Sequence, residues 1–293
     1  MIDFFILGAP KAGTTALHSV LNQHPDVFLP SFKEPHFFAE DMGGYKAHSN
    51  AAEFMRLYEN EDEKIKGDAS VFNLYSDVAV PNILKHNPNA KFIVCLRRQV
   101  DTVPSFHAQV LFTQDEQEES LSIAWDLVEH RNEGNNIPSG CKCSKVLNYK
   151  SIYRYGEQLE RLNAIIDANN LLIIFHEDLL SNPLDEYEKI LAFIGAEHQI
   201  LNNETHNANE VNRFPLVTRV LRHPPDWLKK IKRIVMGRGT SKIYESLLKA
   251  NSKVEKRKSL DSIMRAEIIN NYIDDIKKLE LLLGRKLPEW YRF

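Results

Sequence analysis

The segment from Phe4 to Leu21 constrains the fold more than any other part of the 293-residue chain. It reads FFILGAPKAGTTALHSVL: a short apolar run, a turn that contains Gly8 and Gly13, and a helical pattern that begins at Thr14. A buried strand that leads through a glycine-bearing turn into a helix N-terminus gathers backbone N–H groups around an anion, most often a phosphate. The segment therefore predicts an α/β fold with an anion-binding turn near its start.

Two later apolar runs, Lys91 to Leu96 and Leu171 to Phe175, have the same character as Asp3 to Leu7. All three are apolar on both faces and end in Gly, Pro or polar residues, which is typical of buried parallel strands. Helical patterns separate them, and this alternation predicts βαβ units. We expect helices at residues 14–24, 76–86, 100–112, 121–133, 149–169 and 183–194, and one long amphipathic helix at 259–283.

Length and composition limit the class of protein. At 43% hydrophobic and 26% charged residues, the chain has an ordinary globular composition and is neither collagenous nor mainly disordered. We expect a single domain with a central parallel sheet flanked by helices, in which residues 1–214 form the α/β core and residues 215–293 a helical C-terminal part. Three cysteines and no apolar run of about 18 residues favour a cytoplasmic protein without a disulfide scaffold.

Charge is distributed unevenly along the chain. The net charge of −3 disfavours a nucleic-acid partner. Residues 219–258, however, contain 13 Lys and Arg against three acidic residues, a local charge of +10. This basic region predicts peripheral contact with an anionic membrane or an anionic glycan, although solvated helix faces are often as highly charged.

The turn after the first strand differs from the nucleotide-triphosphatase P-loop G-x-x-x-x-G-K-[ST]. Gly8 and Gly13 have the right spacing, but Thr14 occupies the lysine position and the lysine stands at position 11. This change disfavours a magnesium-dependent kinase. It suits transfer of a sulfuryl group, which carries less negative charge and can be stabilised by one lysine and backbone dipoles.

The segment PKAGTT at residues 10–15 resembles the 5′-phosphosulfate loop of sulfotransferases that use 3′-phosphoadenosine 5′-phosphosulfate (PAPS). The resemblance implies the P-loop-like sulfotransferase fold, PAPS as co-substrate, PAP as product and no required metal. It assigns cofactor binding to Lys11, Ala12, Gly13, Thr14 and Thr15, with Lys11 also stabilising the transition state. It assigns the 3′-phosphate to Arg97 and Ser105, with Tyr153 reaching the same group and Arg213 on a segment that closes over it.

A second resemblance lies in SFKEPHFFAE at residues 31–40, which is similar to the acceptor segment of the bacterial and carbohydrate, heparan-type branch. It implies that Glu34 is the general base, and His36 remains the alternative because cytosolic members use histidine. The segment GDASVFNLYS departs from the heparan-type motif E-K-[TS]-P, since Ala69 and Val71 stand at the lysine and proline positions. Thr102 stands where the family usually carries an arginine.

These residues predict an enzyme that transfers a sulfuryl group in line from PAPS to a hydroxyl of a carbohydrate, lipid or small metabolite. A non-catalytic PAP-binding module is the alternative from another class, and a P-loop kinase is a further alternative. Lys11 and Glu34 together favour the enzyme, because a pure binder needs neither residue at those positions.

Overall fold

A computed structural model describes residues 1–48, 50–59, 61, 64–198, 210–212, 252–254 and 260–292. The chain divides into two compact units. The first comprises Met1–Val103, Tyr149–Thr205 and Ser262–Phe293, and the second comprises Pro104–Asn148 and His206–Asp261. The division into a core at 1–214 and a helical part at 215–293 stays a prediction.

The first unit is built on a parallel five-stranded sheet, which confirms the predicted α/β class. Its strands lie in the order β2-β3-β1-β4-β5, so that β1 is central. The bounds are Phe4–Gly8 for β1, Val27–Phe28 for β2, Ile65–Asp68 for β3, Lys91–Leu96 for β4 and Leu171–Phe175 for β5. Because all neighbouring strands are parallel, their carboxyl ends share one edge of the sheet.

The apolar runs form the centre of the core, as their composition predicts. Phe4, Phe5, Ile6 and Leu7 of β1 are fully buried, and the ring of Phe5 stacks on Phe92 of β4 at 6.1 Å between centroids. The predicted strands at 91–96 and 171–175 have the observed bounds, and β1 is shifted by one residue from the predicted run.

Two strands, β2 and β3, were not among the predicted strands, because β2 is only two residues long and β3 is not an apolar run. Strand β3 reads IKGD, and its Lys66, Gly67 and Asp68 are buried. Gly67 is required there by packing, since a Cβ atom at this position would lie 2.2 Å from Cζ of Phe4. The signal for this strand is therefore a tertiary contact rather than a local pattern.

The helices occupy most of the predicted segments. Their bounds are Thr14–Leu21 (α1), Ala51–Met55 (α2), Ala79–His86 (α3), Gln99–Thr113 (α4), Leu121–Asp126 (α5), Val128–Asn132 (α6), Tyr155–Asn163 (α7), His176–Ser181 (α8), Pro183–Ile194 (α9) and Ser262–Leu283 (α10).

The predicted helix at 149–169 was wrong over more than half its length, because only α7 is an α-helix there. Tyr149, Ile152 and Tyr153 are each buried in the segment before it. Their spacing of three and four residues imitates the apolar face of a helix. These three buried side chains therefore come from an irregular segment rather than from a helix.

The long helix α10 confirms the amphipathic pattern and packs against α7. The Asp275 carboxylate accepts hydrogen bonds from the backbone N–H groups of Gly156 at 2.9 Å and Glu157 at 3.0 Å. No helix in the described part of the chain is both long and apolar enough to cross a membrane.

The second unit contains α5, α6 and most of α4. A buried ion pair joins Arg131 to Glu116, with Nη1 and Oε2 2.6 Å apart. Two short antiparallel strands, Glu210–Asn212 (β6) and Ser252–Val254 (β7), also belong to it. Apart from residues 252–254, the basic region 219–258 lies outside the described residues, and so does Arg213.

Candidate active site

The candidate site of the first unit lies at the edge where the parallel strands end. Ligands of open α/β sheets bind at this edge, because the loops that follow the strands meet there. The turn after β1, residues 9–13, passes close to the segment after β3. A Cβ atom at Gly8 would lie 2.4 Å from the carbonyl oxygen of Val71, so only glycine permits this approach.

Hydrogen bonds hold the backbone of the turn, among them one within it from the Ala12 N–H to the Ala9 carbonyl at 3.2 Å. Ala9 N–H donates to the Cys95 carbonyl at 2.8 Å. The Tyr153 hydroxyl donates to the Pro10 carbonyl at 3.2 Å, and Nη1 of Arg97 donates to the Lys11 carbonyl at 3.2 Å. The turn therefore has a fixed shape before any ligand arrives.

Helix α1 directs its N-terminus toward this turn without an anion of its own. Its N-cap residue, Gly13, has a left-handed φ of 94° and no side chain to cap the first turn, which also lacks acidic residues. Thr14 is buried and Thr15 is exposed. Backbone N–H groups and the positive end of the helix dipole thus favour a bound anion at this position.

Lys11 adds a positive charge in the middle of the turn. Its φ of 63° is in the left-handed region, which is uncommon for a non-glycine residue and which clusters at functional sites. Its carbonyl is the one that Arg97 binds, so the guanidinium helps to hold the lysine in this conformation.

The segment with the candidate base has two more residues of this kind. Glu34 has a φ of 63° and His36 a φ of 48°. The Glu34 carboxylate forms an ion pair with Lys33, and its other oxygen lies 3.7 Å from Nε2 of His36. The Glu34 side chain is 29% exposed, so an acceptor can reach it from solvent.

These neighbours determine the ionisation of Glu34. Burial raises its pKa, but the Lys33 ammonium and then His36 outweigh burial and lower the pKa to about 2. Glu34 is therefore a carboxylate at neutral pH, ready to accept a proton. If the Lys33 ammonium moves away, the pKa of Glu34 rises and the carboxylate becomes a stronger base. The contact with Lys33 therefore controls how readily Glu34 accepts a proton.

His36 lies deeper than Glu34 and is 2% exposed. Its ring stacks on Phe72 with centroids 4.8 Å apart, and its backbone N–H donates to the Ser70 hydroxyl at 3.0 Å. This buried, stacked ring has less access to an acceptor than the Glu34 carboxylate has.

Asp68 is the last residue of β3 and Ser70 follows the strand, where its hydroxyl contacts the base segment. Asp68 is 1% exposed, and burial raises its pKa to about 6 although Ser70, His36, Tyr58 and Lys33 oppose the rise. The Tyr58 hydroxyl lies 3.4 Å from Oδ2 of Asp68.

His176, a neighbour of the turn that the sequence patterns did not single out, is the first residue of α8, directly after β5. A Cβ atom at Gly13 would lie 3.1 Å from its Cδ2. Burial and then the charge of Arg97 lower its pKa to about 4, so the imidazole is neutral at pH 7. Its place at a strand's carboxyl end was the available signal.

The residues predicted to bind the 3′-phosphate belong to different structural elements. Arg97 follows β4 in the first unit, where Tyr153 is fully buried against Pro10. Ser105 lies on α4 within the second unit and is 5% exposed. Thr102 is buried, and its hydroxyl donates to the carbonyls of Arg98 and Gln99. The 3′-phosphate contacts of these residues and of Arg213 stay predictions.

Known proteins resemble the chain in both sequence and fold. The mouse bifunctional heparan sulfate N-deacetylase/N-sulfotransferase 4 is 24% identical over 99% of this chain, which corresponds to 31% of the mouse protein. The membrane-associated sulfotransferase kil1 of Dictyostelium discoideum is 24% identical over 54% of this chain and 33% of that protein. The chain thus spans about a third of the length of these curated relatives.

A crystal structure of a sulfotransferase from Alicyclobacillus acidocaldarius shares the fold, with a TM-score of 0.72 and 22% identity over 100% of this chain and 99% of that one. The model of the sulfotransferase domain family matches residues 1–214, nearly three quarters of the sequence. The chain therefore belongs to the sulfotransferase domain family.

Proposed function

We propose that this protein transfers a sulfuryl group from PAPS to the hydroxyl of an acceptor. The observation that carries the proposal is the joint arrangement of an uncapped helix N-terminus, Lys11 in a fixed turn and the ionised Glu34 at one edge of the sheet. Membership in the family supports the reaction class.

The turn fits the phosphosulfate end of PAPS in shape and in charge. The backbone N–H groups at Gly13 to Thr15 would hold the anionic oxygens, beside Ala12, whose N–H donates to the Ala9 carbonyl within the turn. Lys11 would neutralise charge that grows on the bridging oxygen. Gly8 and Gly13 leave the backbone open to close approach. PAPS supplies an activated sulfuryl group, whose sulfur–oxygen bond to PAP breaks as a bond to the acceptor oxygen forms.

Glu34 performs the proton transfer in this proposal. Its carboxylate is partly exposed and takes the proton of the acceptor hydroxyl as the oxygen attacks, a task usually worth about 10² to 10⁴ in rate. Separation from Lys33 when the acceptor binds would raise its pKa toward the working pH. His36 is too deeply buried to compete for the acceptor directly.

The 3′-phosphate is assigned to Arg97 and Ser105, with Tyr153 and Arg213 as further contacts. Arg97 suits a phosphate because its guanidinium donates several hydrogen bonds in one plane. A cytoplasmic location and contact of the basic region 219–258 with anionic membranes or glycans remain parts of the proposal.

Binding and turnover separate the enzyme from its alternatives. PAP should raise the melting temperature without magnesium, whereas a P-loop kinase would need magnesium and a triphosphate. Radiolabelled PAPS is then offered with N-desulfated heparin, p-nitrophenol, glucosamine and a long-chain alcohol. Label transfer to any of these supports the enzyme. PAP binding without transfer to any acceptor favours the non-catalytic module.

Two substitutions test the base. Glu34→Gln should lower kcat by about 10² or more with the Kd of PAP unchanged. His36→Ala should have the smaller effect on kcat. Full activity in Glu34→Gln would refute the assignment, and a greater loss in His36→Ala would make His36 the base.

A further inference from the structure

The base segment rests on a buried cluster whose hydrogen bonding is incomplete. Nδ1 of His36 and Oδ1 of Asp68 are both buried and have no hydrogen-bond partner in the part of the chain that the structure describes. Buried polar atoms are almost always paired, because an unpaired atom loses its hydration without compensation. Nδ1 of His36 can donate a hydrogen bond and Oδ1 of Asp68 can accept one, but neither atom is paired among the described residues.

Ser70 and His36 connect Asp68 to the base. The Ser70 hydroxyl accepts a hydrogen bond from the His36 backbone N–H at 3.0 Å, and both Ser70 and His36 are close enough to the Asp68 carboxylate to lower its pKa. The other end of His36 faces Glu34, with Nε2 3.7 Å from Oε2. His36 therefore lies between an exposed carboxylate and a buried one.

The conformation of the base segment requires such support. Glu34 and His36 both have left-handed φ values, which cost free energy at non-glycine residues and persist only where surrounding contacts enforce them. The Ser70 bond fixes the His36 backbone, and stacking on Phe72 fixes its ring.

We propose that Asp68 is a positioning residue for the proposed sulfuryl transfer: through Ser70 and His36 it holds Glu34 in place, and its charge stabilises His36 when the imidazole takes the proton onward from Glu34. His36 and Glu34 then act in series rather than as rival bases. The inference rests on the proposed function and adds a residue to the same site.

The proton count is closed at each step. The acceptor oxygen gives its proton to Oε2 of Glu34 as the new bond to sulfur forms. Nε2 of His36 takes that proton from Glu34, which becomes a carboxylate again. The charge of the nearby Asp68 carboxylate offsets that of the resulting imidazolium, which returns the proton to solvent after PAP and product leave.

The charge of Asp68 depends on pH because of its surroundings. The groups that face it are Tyr58, Ser70, His36 and Lys33, and burial outweighs them to give a pKa of about 6. Below this pH Asp68 is neutral and no longer offsets a charged imidazole. Activity in the wild type should therefore decline as the pH falls through about 6.

Asp68→Asn tests the proposal, since it removes the charge and keeps the shape. With PAPS and the probe acceptors N-desulfated heparin and p-nitrophenol, we expect kcat to fall at least tenfold, while the Kd of PAP and the KM of the acceptor stay within twofold. The decline near pH 6 should vanish. Asp275→Asn is the matched control, because Asp275 is also buried with a raised pKa but lies between α7 and α10.

If Asp68→Asn does not fold, Ser70→Ala tests the same proposal. It should lower kcat and move the decline to higher pH, because the Ser70 hydrogen bond lowers the pKa of Asp68. Wild-type kcat and pH profile in the folded variants would overturn the proposal.

A readout without turnover separates this inference from the proposed function. The ¹⁵N signals of the His36 ring should change in Asp68→Asn and not in Asp275→Asn, in protein with and without PAP. Unchanged His36 signals would overturn the inference even in an active enzyme. Failure of the wild type to bind PAP would instead refute the proposed function.

Discussion

The turn after β1 and the base segment at residues 33–38 both contain non-glycine residues with left-handed φ values, but different forces hold them. Hydrogen bonds to backbone carbonyls fix the turn, from Tyr153, Arg97 and the Ala9 N–H. In the base segment an ion pair joins Lys33 to Glu34, and His36 is held by a hydrogen bond to a side chain, Ser70, and by stacking on Phe72.

This difference separates a region that binds an anion from a region that moves a proton. The turn is held by hydrogen bonds to backbone carbonyls, and it presents N–H groups and Lys11 to an anion. The Glu34 carboxylate of the base segment and the Asp68 carboxylate at the end of β3 have pKa values shifted in opposite directions, down for Glu34 and up for Asp68. Opposed shifts of neighbouring acids are typical of sites that move protons.

The largest expected effect on stability comes from Gly8→Ala in the turn. The φ of 143° and the 2.4 Å distance to the Val71 carbonyl leave no room for a methyl group, and we expect a loss on the order of 3 kcal/mol in unfolding free energy. Urea denaturation measures it. Gly13→Ala is the control and should cost about 1 kcal/mol, because its new Cβ meets only a His176 side-chain atom at 3.1 Å. Equal losses would contradict this account.

Asp68→Asn should instead increase the free energy of unfolding at neutral pH. The pKa of Asp68 is about 6 when folded and near 3.8 when unfolded, so its charge destabilises the folded state progressively from pH 4 to 6 and fully above. We expect the variant to be about 2 kcal/mol more stable than the wild type at pH 7.5 and equally stable near pH 3.5. Thermal unfolding across this range measures the difference. A pH-independent difference would show that Asp68 carries no buried charge.

A smaller effect is expected for Tyr153→Phe, which removes the hydrogen bond to Pro10 and should cost about 1 kcal/mol. The turn loosens, so the affinity for PAP should fall severalfold, as calorimetry can measure. Tyr187→Phe is the control, because the buried Tyr187 hydroxyl has no hydrogen-bond partner among the described residues. Similar PAP affinity in both variants would argue against the bracing role of Tyr153.

The smallest expected effect is a pH-dependent loss of stability in Glu34→Gln, in the base segment. Glu34→Gln should reduce stability on the order of 1 kcal/mol at pH 7, after allowance for solvent screening, because Lys33 and His36 stabilise the carboxylate. The contribution of Glu34 is present above pH 4.5 and is lost as the pH falls toward 2. Acid titration of both proteins by circular dichroism checks this, and curves that stay apart at pH 2 would be inconsistent with it.

The sequence alone determined the strands β1, β4 and β5, the turn and the family, because each depends on local chemistry. Apolar runs such as KFIVCL bury both faces, and glycines at positions 8 and 13 permit a backbone that other residues do not. Lys11 at its shifted position indicated sulfuryl chemistry before any contact was known.

Only the tertiary structure decided what lies around that turn. Strand β3 has no apolar pattern, since its place in the sheet comes from Phe4 packing on Gly67. Lys33 and His36 lie beside Glu34, and both also act on Asp68, which lies 34 residues further along the chain than Glu34. Their pKa shifts arise from burial and from charges brought close by folding, and neither quantity is written in the local order of residues.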